Sequence, residues 1–188
     1  MSHAMKIAFW ATVAGQIILL LAFIGVKENT LRTGTSVLLQ TVPVDPRSLL
    51  QGDYVTLDYE IAELPQSLRE APIGETVYVS LRKTGGELWV SQGHSILRPE
   101  KGVVFIKGTV NDRGRLDLGL GTYFIPEGTG SIIERAQDVK VRASVNSSGS
   151  AVIQELLVDG EPFDPNRPQD LPLKEPPPRP AEPAKPPE

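Results

Sequence analysis

The sequence predicts an all-β domain, an antiparallel sandwich or barrel of about eight strands with one or two short helices. A transmembrane helix precedes this domain and a disordered Pro-rich tail follows it. Three observations carry the prediction. One 20-residue stretch near the amino terminus has no formal charge. The middle of the chain alternates apolar and polar residues between closely spaced turns. Of the 17 prolines, 11 fall after residue 161.

Residues 1–6 read as a short cytoplasmic leader. Residues 7–26, IAFWATVAGQIILLLAFIGV, hold Thr12 and Gln16 as their only clearly polar side chains. At 1.5 Å per residue this helix spans about 30 Å, the thickness of a bilayer's hydrocarbon core. Lys6 and Lys27-Glu28 bracket the run, and Trp10 sits where an interfacial aromatic helps. A cleaved signal would have a shorter apolar core and small residues around a cleavage site. Leu-Ala-Phe-Ile-Gly-Val fits that poorly, so the helix is expected to remain as an anchor through which the chain contacts the lipid bilayer. The positive-inside comparison of Lys6 with Lys27 and Arg32 is nearly even. A short leader before a long polar region points to a single-pass protein with its bulk outside the cytoplasm.

Residues 27–161 are expected to form the β-domain. Its strands are read from period-two alternation and turn residues. Ser36–Val44 is an apolar run that Pro43 and Pro46 end. Asp53–Ile61 puts Val55, Leu57, Tyr59 and Ile61 on one face and Tyr54, Thr56, Asp58 and Glu60 on the other. Glu75–Lys83 alternates through Val77, Val79 and Leu81, and Gly85-Gly86 turns it back into Glu87–Gln92. Val103–Val110 and Arg115–Leu118 flank the turn Asn111-Asp112-Arg113-Gly114. Val139–Asn146 and Ser150–Val158 form a last hairpin. Two short helices are expected, at Pro65–Ala71 and at Ser131–Gln137, where Ser131 and Glu134 make a capping-box pattern. Residues 162–188 should be disordered or polyproline-II-like, because proline removes backbone donors and few large apolar residues are present.

Composition excludes several functions. With no Cys there is no disulfide, thiol nucleophile or Cys-held metal, and only two His are present. A net charge of −4 argues against nucleic-acid binding. No metal, cofactor or catalytic residue is expected. A triad would need His94, and no nucleophile elbow accompanies it. Pro46–Val55 faintly resembles the nucleophile region of signal peptidases, but the nucleophile position falls on Pro43 or Val44, which cannot attack a carbonyl.

The densest motif is Gly52-Asp53-Tyr54-x-x-Leu57-x-Tyr59-Glu60. With Asp45-Pro46-Arg47 upstream and Tyr123-Phe124-Ile125-Pro126-Glu127-Gly128-Thr129-Gly130 downstream, it resembles the GDYXXLXYE family of membrane-anchored bacterial proteins over about residues 7–160. The resemblance implies an inner-membrane location. It assigns no chemistry, but such proteins tend to be encoded beside multi-spanning membrane proteins, which implies an accessory or interaction subunit with a multi-spanning partner. The candidate interaction residues are Asp45, Pro46, Arg47, Gly52, Asp53, Tyr54, Leu57, Tyr59, Glu60, Tyr123, Phe124, Pro126, Glu127 and Gly128. The two segments are expected to meet in space. Tyr123 and Phe124 read as core anchors. Gly52-Asp53 reads as a turn, and Asp58 and Glu60 as neighbours able to share a cation. Two alternatives stand beside the interaction reading. One is an envelope hydrolase using carboxylates of the Gly52–Glu60 strand. The other is a small-ligand sensor, which would require a barrel with an open apolar interior.

Overall fold

The computed structural model describes residues 3–42, 54–126, 129, 133 and 136–164. The chain is mostly antiparallel β-sheet behind one long apolar helix, α1 (His3–Thr33). Apolar side chains lie all round α1, as expected for a helix whose surroundings are apolar on every side. None of its most apolar 18-residue window is buried by the rest of the chain.

α1 is longer than its apolar run. It continues through Lys27–Thr33 and enters the first strand, β1 (Thr35–Val42), across Gly34 alone. The junction is held by side chains. Thr30 is 3% exposed; its carbonyl oxygen accepts from Ser144 Oγ at 2.6 Å and from Gly34 N at 3.0 Å, and its Oγ1 accepts from Asn146 Nδ2 at 3.0 Å. A Cβ at Gly34 would collide with Ser144 Oγ and stand 2.6 Å from the Thr30 carbonyl oxygen. Only glycine lets helix and sheet approach this closely.

The remaining strands are β2 (Tyr54–Thr56), β3 (Asp58–Tyr59), β4 (Thr76–Lys83), β5 (Trp89–Ser95), β6 (Phe105–Val110), β7 (Leu116–Asp117), β8 (Thr122–Phe124), β9 (Val139–Val145), β10 (Ala151–Val158) and β11 (Glu161–Pro162). They form a five-stranded sheet in the order β11-β10-β9-β1-β3, a four-stranded sheet in the order β5-β4-β6-β7, and the ribbon β2-β8. A parallel bridge between Leu38 and Leu88 links the two larger sheets.

The alternating residues of both sheets share one core. Val37, Leu39, Val141 and Leu156 come from the larger sheet, and Val77, Val79 and Ile106 from the smaller. Each is fully enclosed, and burial of such a side chain contributes about 1.5–3 kcal/mol. Turn chemistry sets the hairpins. Asn146 Oδ1 accepts from Ser148 N and Ser150 N, and Gly149 takes φ 85° with its Cα against the Phe105 ring. Asn111 Oδ1 does the same for Arg113 N and Arg115 N.

Several expectations shift. Asp53–Ile61 is not one strand: within the described residues it divides into β2 and β3, separated at Leu57 and paired with different partners. Of Pro65–Ala71, only Gln66–Leu68 forms a 3-10 turn. Phe163 belongs to the domain rather than to the tail: it is 4% exposed, and its N–H donates to the Leu156 carbonyl at 2.7 Å. The tail from residue 165 onward, and most of the expected helix at Ser131–Gln137, lie outside the described residues.

Candidate functional site

The motif strand is placed where the chain changes sheets. β2 pairs with β8 in the register Tyr54↔Phe124, Val55↔Tyr123 and Thr56↔Thr122. The two motif segments therefore meet, as expected. Leu57 N then donates to the Gly121 carbonyl at 2.9 Å, and its buried side chain turns into the core. Beyond it, β3 leaves the ribbon and pairs with β1 through Thr41↔Tyr59 and Val42↔Asp58.

Strand alternation divides the roles. Leu57 and Tyr59 point inward, as the sequence indicates. Tyr59 is 2% exposed and donates its phenol to the Leu120 carbonyl at 2.9 Å. Burial raises the Tyr59 phenol well above its ordinary range, and the Asp58 charge adds to the rise. The phenol therefore stays protonated and donating. Tyr123 also faces inward, against the ring of Phe163 at 6.5 Å between centroids. Burial, then Glu155, raises its phenol too.

Phe124 is not a core anchor. One residue on from the inward Tyr123, it points to the opposite face and is 78% exposed. Its ring lies 6.5 Å from that of Tyr54, inclined at 59°, so the ribbon's outer face carries an aromatic pair in which Phe124 is exposed and Tyr54 half-buried. Pro126 is exposed just beyond; its carbonyl accepts from both Thr129 N (3.2 Å) and Thr129 Oγ1 (2.6 Å), which turns the loop.

The carboxylates do not form a pair. Asp58 is held by Arg115: Oδ1 accepts from Nη2 at 3.0 Å, and Oδ2 stands 2.8 Å from Nε. Arg115 Nη2 also donates to the Tyr59 carbonyl at 2.8 Å. Glu60 is exposed and opens the 3-10 turn Glu60–Ala62, because the strand has already ended at Tyr59. The continuous polar row expected along Tyr54, Thr56, Asp58 and Glu60 is thus broken. His94 donates Nε2–H to the Ile61 carbonyl at 3.0 Å and braces the same turn. Asp45, Pro46, Arg47, Gly52, Asp53, Glu127 and Gly128 lie outside the described residues.

An open groove of about 460 Å³ lies beside the ribbon, between β8, β10 and the end of α1. Its described walls include Lys27, Leu120, Tyr123, Phe124, Val152 and Ile153. Sequence reading missed Lys27 here, and missed Arg115 as the partner of Asp58. Neither has a local signal, since each partnership spans tens of residues of chain.

A long apolar helix passing without a linker into a β-domain, with the motif strand at the crossover between sheets, defines a helix-tethered β-domain. The chain belongs to the GDYXXLXY protein family, whose model matches residues 16–156. That range takes in the second half of the apolar run, the motif strand, the ribbon and most of β10. No curated protein and no solved structure matches the chain.

Proposed function

We propose that this protein is a non-enzymatic, single-pass protein of the bacterial inner membrane with its β-domain outside the cytoplasm. It serves as an accessory or interaction subunit of a multi-spanning membrane protein. The observation that carries this reading is the locked junction at Thr30, Gly34 and Ser144. With no flexible linker, a membrane-spanning α1 holds the domain close to the bilayer and presents the Tyr54–Phe124 face at fixed height to a neighbour. Confinement to the same membrane raises the effective concentration of that neighbour without tight contacts.

The geometry favours interaction over the hydrolase alternative. Asp58 is committed to Arg115, Glu60 sits exposed on a 3-10 turn, and no carboxylate is among the described groove walls. Catalytic carboxylates need a concave site that can hold substrate. The sensor alternative needs an open interior, whereas the space between the sheets is filled by Val37, Leu39, Val79, Ile106 and Leu156.

The test is extraction of the tagged full-length protein from its native membrane in mild detergent, with co-purifying proteins identified by mass spectrometry. A stoichiometric multi-spanning partner is expected, depleted by Tyr54→Ala with Phe124→Ala. Recovery of the protein alone under several mild conditions would contradict the reading.

A further inference from the structure

The groove beside the ribbon has a depth fixed by α1, given the membrane-spanning reading proposed above. Val26 ends the uncharged run, and the next residue, Lys27, forms part of the groove wall. Thr30, four residues beyond Val26 and about 6 Å along the axis, is already hydrogen-bonded into the domain. The interfacial layer on each side of a bilayer is about 5–7 Å thick. The groove therefore opens within the headgroup layer, and the Thr30–Ser144 lock prevents α1 from swinging clear of it. Just below, Phe23 and Ile24 are exposed and, four and three residues before Lys27, lie on the same face of the helix.

The wall chemistry is that of an amphiphile's receptor. Tyr123, Phe124, Val152 and Ile153 supply aromatic and aliphatic surface, and Lys27 supplies one compact ammonium. We propose that a phospholipid from the leaflet where α1 emerges fills this groove. Its headgroup phosphate sits on Lys27, and the glycerol end of its acyl chains packs against Tyr123, Val152 and Ile153. The lipid wedges the domain at one tilt on the bilayer, so that the Tyr54–Phe124 face is turned towards neighbours in the membrane. An anionic lipid is preferred, because Lys27 is the one cation in the described wall and no carboxylate there opposes it.

The chain contains no Cys, so single nitroxide labels can be placed on the full-length protein in nanodiscs of phosphatidylcholine with or without phosphatidylglycerol. Labels at Ile17→Cys, Ile153→Cys and Glu161→Cys are compared by collision with oxygen, which partitions into lipid, and with a water-soluble nickel chelate. Glu161 is the aqueous reference, paired with Val158 at the end of β10 remote from the helix junction, about 20 Å along the strand. The 153 label should read as lipid-exposed and shallow, the 17 label as deep, and the 161 label as aqueous. In parallel, native mass spectrometry of unlabelled protein should find phosphatidylglycerol retained, and retained several-fold less by Lys27→Gln. A 153 label as wet as the 161 label, with the 17 label still deep, would overturn the lipid seat while leaving the anchor intact. Equal lipid retention by Lys27→Gln would overturn it as well. A 153 label wet in nanodiscs but shielded in native membranes would give the groove to a protein partner instead. A wet 17 label would remove the anchor, and the proposal with it.

Discussion

Replacing Tyr59 by Phe deletes one oxygen from the crossover between sheets. The ring is 2% exposed, and its hydroxyl donates to the Leu120 carbonyl at 2.9 Å. The ring's packing survives the substitution, but the carbonyl loses a buried donor, which costs about 1–3 kcal/mol. For the roughly 120 described residues between 27 and 164, at about 2.1 cal/mol/K each, that lowers Tm by about 4–12 °C. The assay is thermal unfolding of the full-length protein in mild detergent, followed by near-ultraviolet circular dichroism at neutral pH. The same variant tests a pH dependence. The folded-state pKa of Tyr59 is raised above the ordinary 10.0, by burial first and by Asp58 second. Its stabilisation is therefore complete below pH 10 and is lost as pH climbs from there towards the folded-state value, at about 1.4 kcal/mol per pH unit for one proton. The wild type should lose stability above pH 10 more steeply than Tyr59→Phe. A variant within about 1 °C of wild type, on the scale set by the unfolding entropy, with a parallel alkaline slope, would refute the claim that this motif tyrosine is a buried structural donor.

Other substitutions probe separate parts of the account. Gly34→Ala should cost about 1–3 kcal/mol by overpacking, seen as a lower Tm, and Ser144→Ala should partly rescue it by removing one of the two clashing atoms. A double-mutant cycle of Asp58→Asn with Arg115→Met should return a coupling of about 0.5–2 kcal/mol; additive effects would show that the ion pair contributes nothing. Phe163→Ala should cost about 3–5 kcal/mol, which a residue belonging to a solvated tail would not. Gly149→Ala should destabilise, since its φ is 85° and the new methyl would meet the Phe105 ring at 2.5 Å; an unchanged Tm would show that the hairpin relaxes freely.

The parts legible in the sequence were those with local causes. The apolar run gave α1, and alternation at Val77, Val79 and Leu81 gave β4 almost residue for residue. The Gly85-Gly86 and Ser147-Ser148-Gly149 turns placed their hairpins. Of the inward set Val55, Leu57, Tyr59 and Ile61, the last three are buried and Val55 packs half-buried against the core, although Ile61 reaches it from the 3-10 turn rather than from a strand. The break between β2 and β3 was not legible, since it depends on which strands are available as neighbours: β8 on one side of Leu57 and β1 on the other. β8 has three residues and β11 two, too short for a periodic signal. Phe124 was misread for a related reason. An aromatic beside Tyr123 looks like core until pairing with Tyr54 shows which face each occupies. Phe163 sits among prolines, and composition alone assigned it to the tail.

The proposed function sets the Tyr54–Phe124 face against a multi-spanning protein in the same membrane. Its most direct test is photo-crosslinking in intact native membranes, with p-benzoylphenylalanine placed at Phe124 and, as a control, at Glu161 at the far end of the domain. One discrete adduct with a multi-spanning protein is expected from position 124 and none from position 161. Adducts equal at both positions, or none with any protein at 124, would contradict it.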